Sequence, residues 1–344
     1  MYNPLIKFIG IIVVGLTLIK CSSGGIGGDF LEPPVFRDSL HAFNFYVDNY
    51  PENKEPLFYR SKFFIRNGNV AGANNDIRKA LELDSTDLRF RNTYASIQLS
   101  MLNLEEVKYH YEYTLAQEPH NIDALMGMAK LYALLSNFPM AQHRYLDTVI
   151  SINPYYADAY FLRGIIYRTE YELSGNPESL RRSLSNFQTT VEQNPEYYGA
   201  YIEMGVVFDN LDSTIALDYY NSALEISPKS TEALYNKGMY FQKRGYVDSA
   251  LSQYHKILTI DSSFTNAYYN QGYIHLIMTG VLDSARFYFE ESIKREPDHY
   301  RAYNNLGLTY EKLGEKETAI KNYKKAIDIY PDFKLAKENL NALQ

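Results

Sequence analysis

The sequence predicts an all-α solenoid, in which short helix pairs stack on copies of themselves. The first observation is a period near 34 residues, which runs from residue 54 to residue 333. The second is that apolar and small residues recur within each repeat at the helical spacing i, i+3, i+4, i+7. The last repeat shows this spacing at Tyr303, Leu306, Gly307 and Tyr310. Helices this short cannot bury such faces alone, so neighbouring repeats must cover them.

A second helix follows within the same repeat. Its apolar face consists of Ala319, Tyr323, Ala326 and Ile327. The pair Leu313-Gly314 breaks the chain between the two helices. Pro331 ends the second helix, because a proline cannot continue a helix.

These residues resemble the signature of the tetratricopeptide repeat (TPR) family. The matching positions are Tyr303, where the family most often has Trp, and Leu306-Gly307, Tyr310, Ala319, Tyr323, Ala326 and Pro331. Eight such repeats follow one another in tandem. The resemblance implies a right-handed superhelical solenoid of TPR helix-turn-helix repeats with capping helices at both ends. It also implies that the first helix of each repeat lines a concave groove.

The resemblance divides the chain after its N-terminal segment. The eight predicted repeats span 54–87, 88–121, 122–156, 157–197, 198–230, 231–264, 265–299 and 300–333. Residues 36–53 and 334–344 are predicted capping helices. Repeat four carries seven extra residues around the turn signal Gly175-Asn176-Pro177, which predicts either a functional loop at one edge or a neutral surface loop.

The N-terminus is typical of an export signal. Lys7 precedes an uncharged apolar run, residues 8–19, that is shorter than a membrane span. Leu18-Ile19-Lys20-Cys21 resembles a bacterial lipobox, although Lys20 departs from the small residue preferred there. Residues 1–20 are therefore predicted to be a signal peptide, and Cys21 a lipid attachment site at the start of a flexible tether, residues 21–35. The alternatives are an uncleaved anchor and a plain secreted protein.

Composition argues against nucleic acid as a partner. The formal net charge is −7, and no run of basic residues stands out. Binding to nucleic acid needs positive charge opposite the phosphates. The single cysteine also excludes an internal disulfide.

The sequence also lacks a recognisable catalytic constellation. The seven histidines are scattered, and no two have the i, i+4 spacing of a helical metal site. There is no GxSxG elbow, P-loop or GxGxxG motif. We therefore expect no enzymatic activity, no cofactor and no metal.

The positive prediction is a groove that binds peptides. The resemblance implies that positions two, five, six, nine, twelve and thirteen of each repeat face the groove. Position six is Asn in repeats six to eight, at Asn236, Asn270 and Asn305. A carboxamide both donates and accepts, so it pairs with a peptide backbone of any sequence. Tyr235, Tyr269 and Tyr273 are expected to flank this ladder, and Arg301 to bind a carboxylate. The alternative is that these residues are common to average TPRs.

Earlier repeats have a more apolar set at the groove positions. It comprises Phe58, Met126, Leu134, Phe161, Ile165, Ile202 and Val206. An apolar strip of this kind is expected to be covered by an amphipathic helix of a partner or by the N-terminal segment of the chain itself. The alternative is a register shift that makes these residues core.

Two functional hypotheses remain, alongside an enzyme domain without a recognisable motif. The first is a non-enzymatic scaffold or adaptor, anchored by lipid as an outer-membrane lipoprotein that faces the periplasm and binds envelope proteins. The second is an accessory lipoprotein for glycan or nutrient capture that uses the Tyr-rich groove, with Asp209 as a neighbouring carboxylate. A fold alone does not decide between them.

Overall fold

The computed structural model describes residues 38–344. This range holds 18 α-helices and no β-strand. The predicted all-α solenoid is confirmed. The predictions for residues 1–37, including the signal peptide, the tether and Cys21, lie outside the described residues.

The helices form two compact units, an N-terminal unit that ends at Pro195 and a C-terminal unit that begins at Glu196. The helices of the N-terminal unit are α1 (Ser39–Asn49), α2 (Lys54–Arg66), α3 (Val70–Leu83), α4 (Leu88–Ser100), α5 (Leu104–Gln117), α6 (Ile122–Leu134), α7 (Asp147–Ile152), α8 (Ala157–Ser174) and α9 (Pro177–Gln193). Those of the C-terminal unit are α10 (Tyr198–Asn210), α11 (Ala216–Ile226), α12 (Thr231–Lys243), α13 (Val247–Ile260), α14 (Thr265–Tyr273), α15 (Leu282–Arg295), α16 (Tyr300–Lys312), α17 (Lys316–Ile329) and α18 (Lys334–Leu343).

Many helices begin at a side chain that caps their free backbone N–H groups. Each cap accepts a hydrogen bond from an N–H two or three residues further on, as Asn69 does from Gly72. The other caps of this kind include Asn53, Asp87, Asn121, Asn176 and Ser230. Short polar residues between the helices therefore fix where the helices start.

Glycine holds the two helices of a pair close together. A Cβ atom added to Gly164 would lie 2.6 Å from the ring of Phe187, which is too close for the ring to stay in place. The same contact recurs in the C-terminal unit at Gly205–Tyr220, Gly238–Tyr254, Gly272–Phe289 and Gly307–Tyr323. A larger residue here would overpack the pair by about 1–3 kcal/mol.

Two repeats that are longer than 34 residues accommodate the additional residue within a helix. Repeats three and seven, at 122–156 and 265–299, are each one residue longer than 34, and each contains a π-helical segment. These segments are Met140–Leu146, which runs into α7, and Ile274–Thr279, which continues α14.

The insertion in repeat four also lengthens helices, so the expectation of a loop is wrong. Helix α8 has 18 residues and α9 has 17, whereas α2 and α3 have 13 and 14. Only Gly175 and Asn176 lie between α8 and α9. Gly175 takes a left-handed conformation, Asn176 caps α9, and no other breaker interrupts either helix.

Candidate functional site on the first helices

The predicted asparagine ladder lies on α12, α14 and α16 of the C-terminal unit. Two of its three amides are already bonded within the protein. Asn270 is only 6% exposed, and its Nδ2 donates to the Tyr235 hydroxyl at 3.3 Å. Nδ2 of Asn305 donates in the same way to the Tyr269 hydroxyl at 3.1 Å. Asn270 therefore joins α14 to α12, and Asn305 joins α16 to α14, in both cases the first helices of consecutive repeats.

Asn236 differs from the other two asparagines. The preceding repeat has Ile202 at position five, where the later repeats have Tyr235 and Tyr269. An isoleucine offers no hydroxyl to accept the amide hydrogen. Within residues 38–344 the Asn236 side chain makes no hydrogen bond, and it is half-buried. It is the ladder residue with the most capacity for a ligand.

Tyr235 and Tyr269 do not present the open ring faces that the sequence suggested. The Tyr235 ring lies 5.7 Å from that of Phe264, and the Tyr269 ring lies 4.8 Å from that of His299. Burial raises the pKa of Tyr269 above its usual value. Both rings are half-buried, because they pack between consecutive repeats.

Tyr273 and Arg301 do face solvent. Tyr273 is 36% exposed, and Arg301 is exposed and forms no ion pair with any residue of the described range. Met239, which was not predicted as a site residue, occupies the same repeat position as Tyr273 and is equally exposed. Its sulfur lies 3.4 Å from Nδ2 of Asn270. Met239 could have been predicted from the sequence, because it is the ninth residue of repeat six and position nine is one of the groove positions.

The predicted apolar strip is not an open surface, and this prediction is wrong for most of its members. Phe58, Met126, Phe161, Ile165 and Ile202 are buried, with exposures of 3–8%. Only Leu134 and Val206 are half-buried.

Stacking explains this burial. The Phe58 ring lies 5.2 Å from that of Phe90 in the next repeat, and Ile202 belongs to a cluster with Ala233 and Tyr240 of the next repeat. In these two cases the first helix of the following repeat covers position five of the one before. Phe58 and Ile202 are therefore part of the core between repeats.

His110 and His275 of the described residues have shifted pKa values, and neither belongs to a metal-binding group. The described part of the chain contains no group of three His, Cys, Asp or Glu side chains able to hold a metal ion. Burial, the largest cause, and then the charge of Arg91 lower the pKa of His110, although Glu106 opposes the shift. Burial also lowers the pKa of His275, whose ring stacks on Tyr288 at 5.5 Å. His275 therefore serves as a packing residue.

Comparison with protein families identifies a tetratricopeptide repeat at residues 300–333. The curated relatives of this chain include Tetratricopeptide repeat protein 6 of Homo sapiens, which is 24% identical over 208 residues, 60% of this chain and 38% of that protein. They also include Hsp70-Hsp90 organizing protein 3 of Arabidopsis thaliana, 22% identical over 275 residues, 72% of this chain and 45% of that protein. The chain thus spans less than half the length of these relatives.

A solved structure shows the same fold. The crystal structure of the APC/C hetero-tetramer Cut9-Hcn1 matches 88% of this chain and 58% of that chain, with a TM-score of 0.56 and 13% identity. At this identity the likeness concerns the fold alone. Residues 300–333 match a tetratricopeptide repeat, and the described part of the chain shares the fold of the Cut9-Hcn1 structure.

Proposed function

We propose that this chain is a non-enzymatic interaction scaffold that binds peptide segments of other proteins on its first helices in repeats six to eight. The similarity to TPR proteins supports a scaffold for protein–protein interaction. The observation that carries the choice of surface is Asn236, whose amide is half-buried and makes no bond within residues 38–344.

The exposed groups of this surface suit a peptide. Asn236 can donate to a backbone carbonyl and accept from a backbone N–H. Met239 and Tyr273 offer apolar area for side chains, and Met adapts readily to differently shaped partners. Arg301 can pair with a carboxylate, because no acid of the described range occupies it.

The glycan-binding alternative has less support. It requires free aromatic faces with carboxylates close by. Tyr235 and Tyr269 instead pack against other rings. Asp209 is held by Arg244, with Oδ1 only 2.6 Å from Nη1.

We further propose that the chain is a bacterial envelope lipoprotein, anchored through Cys21. This part of the proposal rests on the sequence of residues 1–21 alone. None of the helices within residues 38–344 is long and apolar enough to cross a membrane. A diacylated cysteine would hold the repeats at a membrane surface, where two acyl chains suffice for stable anchoring.

The peptide-binding proposal is tested by probing the full-length protein with a peptide array and a glycan array. We expect saturable peptide binding that falls at least tenfold in Asn236→Ala. The matched control is Asn341→Ala, which changes an exposed asparagine of α18. Binding to glycans only, or equal binding by both variants, contradicts the proposal.

The anchoring proposal is tested by labelling with palmitate in a bacterial host that expresses the chain with its own signal. We expect label in the wild type and none in Cys21→Ala. Wild-type protein without label would show that Cys21 is not acylated and would leave the scaffold without this anchor.

A further inference from the structure

A second surface of the C-terminal unit has properties that the first-helix surface does not explain. It is a groove of about 350 Å³ formed by α11 of repeat five and by α12 and α13 of repeat six. Leu224, Leu234 and Ile260 make its apolar wall. Its polar side is made largely by Lys237, Gln253 and Lys256. We call it the repeat-six groove.

Lys237 occupies position seven of its repeat, and cations recur at this position. Arg60 of repeat one donates to both carboxylate oxygens of Asp76, at 2.7 and 2.8 Å. Arg163 of repeat four pairs with Asp147. Lys237 instead donates to the neutral Oδ1 of Asn221 at 2.6 Å. Its charge is therefore not neutralised, unlike that of the two arginines.

A second cation lies beside Lys237. Lys256 is exposed and forms no ion pair within residues 38–344. Burial and then the charge of Lys256 lower the pKa of Lys237. No Asp or Glu is among the described residues that line the groove. Two uncompensated ammonium groups thus share one groove in a chain whose formal net charge is −7.

Gln253, the third polar residue of the groove, has a buried oxygen without a hydrogen-bond partner among the described residues. It stands at position 23, where repeat one has Asp76, and it is only 6% exposed. Its Nε2 donates to the Ser249 carbonyl at 3.4 Å. Its buried Oε1 has no hydrogen-bond donor among the described residues. A buried acceptor without a donor is unfavourable, and a ligand N–H would relieve it.

We propose that the repeat-six groove is a second docking site, which binds an acidic peptide segment of a partner protein. A carboxylate of the peptide pairs with Lys237 and Lys256, and a backbone N–H donates to Gln253 Oε1. A neighbouring apolar side chain packs on Leu224 and Ile260. A small inorganic anion would satisfy the lysines but would leave the apolar wall uncovered. The groove shares α12 with Asn236, but it is lined by Leu234 and Lys237 of that helix and not by Asn236.

The test is a positional-scanning library of fluorescent decapeptides, read by anisotropy with the full-length protein at low salt. We expect a preference for Asp or Glu next to an apolar residue. This preference should fall at least tenfold in Lys237→Gln/Lys256→Gln. It should persist in the matched control Lys324→Gln/Lys325→Gln, which removes the same charge from an exposed part of α17.

A second variant tests the role of Gln253. Gln253→Glu places a carboxylate at the repeat position where Asp76 pairs with Arg60 in repeat one. Because this carboxylate would neutralise Lys237, the affinity for acidic peptides should fall at least tenfold. The melting temperature should not fall. Asn236→Ala should leave the acidic preference unchanged, which separates this site from the proposed peptide surface. The proposal is overturned if the library shows no acidic preference, or if the control pair loses as much affinity as Lys237→Gln/Lys256→Gln. It is also overturned if inorganic phosphate displaces the probe at a lower concentration than the peptide does.

Discussion

The first helices are joined in two ways along the chain. In repeats one and two the contact is apolar, with the Phe58 ring 5.2 Å from Phe90 inside a buried cluster. In repeats six to eight it is polar, because Asn270 and Asn305 donate to the hydroxyls of Tyr235 and Tyr269. An apolar contact is non-directional, whereas a hydrogen bond needs both partners. Where only one partner is present, as at Asn236, a polar group is left for a ligand.

The largest effect is expected at the apolar contact. Phe58→Ala removes a buried ring, and we expect it to lower the free energy of unfolding by about 3–5 kcal/mol. Urea unfolding followed by circular dichroism measures this change. Tyr155→Ala, at a side chain that is 76% exposed, is the control and should change stability by less than about 0.5 kcal/mol. A Phe58→Ala cost as small as the control would mean that this contact does not join the repeats.

A smaller effect is expected at the polar contact. Tyr269→Phe removes the hydroxyl that accepts from Asn305, and we expect a cost of about 1 kcal/mol. Tyr273→Phe is the matched control, because the Tyr273 hydroxyl makes no hydrogen bond within the described range. The same unfolding measurement compares the two variants. Equal stability of both would show that the Tyr–Asn bond contributes nothing.

The turns between the two helices of a repeat also differ along the chain. Gly68, Gly245 and Gly314 take positive φ there, but Leu102 of repeat two does so with φ 61°. A side chain in this conformation is strained, so Leu102→Gly should stabilise the protein by about 1 kcal/mol.

Asp212 has φ 54° and gives the contrasting case in the C-terminal unit. Its Oδ1 lies 3.2 Å from Nζ of Lys243 and 3.4 Å from Nη2 of Arg244. Asp212→Gly should therefore gain less than Leu102→Gly. Thermal unfolding of both variants tests this order, and a larger gain at Asp212 would contradict it.

The smallest expected effect is the dependence of stability on pH. Burial is the main cause that lowers the folded-state pKa of His110 and of His299. As pH falls below about 6.5, the unfolded chain takes up protons that the folded chain does not, so stability declines toward the folded pKa. Urea unfolding at pH 7.5 and pH 5.5 measures the loss.

One variant assigns part of this pH dependence to the C-terminal unit. The His299 ring packs against that of Tyr269. Its Nδ1 forms a hydrogen bond of 3.0 Å with Oγ of Ser292. His299→Asn should reduce the difference in stability between the two pH values, whereas Asn341→Ala, which removes an exposed side chain without a titratable group, should not. A pH dependence unchanged in His299→Asn would exclude this histidine as a source.

Much of the fold was predictable from local sequence. The helical spacing of apolar residues and the Gly–aromatic contacts, such as Gly307–Tyr323, arise within one repeat and need no knowledge of its neighbours. The insertion in repeat four was predictable only in part. Gly175-Asn176-Pro177 marked the break correctly, but the chain on either side remained helical because nothing else interrupts it.

The candidate sites were less predictable, because exposure depends on the next repeat. Phe58 and Ile202 occupy positions that face the groove by the family pattern, and the following first helix buries them. Asn270 and Asn236 have the same residue type and repeat position. They differ in their bonds because position five of the preceding repeat is Tyr in one case and Ile in the other.

Local sequence specifies the helix pairs and their glycine contacts, because these follow from a period and from local breakers. Which polar groups form hydrogen bonds with other repeats depends on packing in three dimensions. The Tyr235 hydroxyl that accepts from Asn270 lies 35 residues away in the sequence. Likewise, only the structure shows that Gln253 and Lys256, and no described carboxylate, line the groove with Lys237. Such partners are set by packing between helices, which local spacing does not specify.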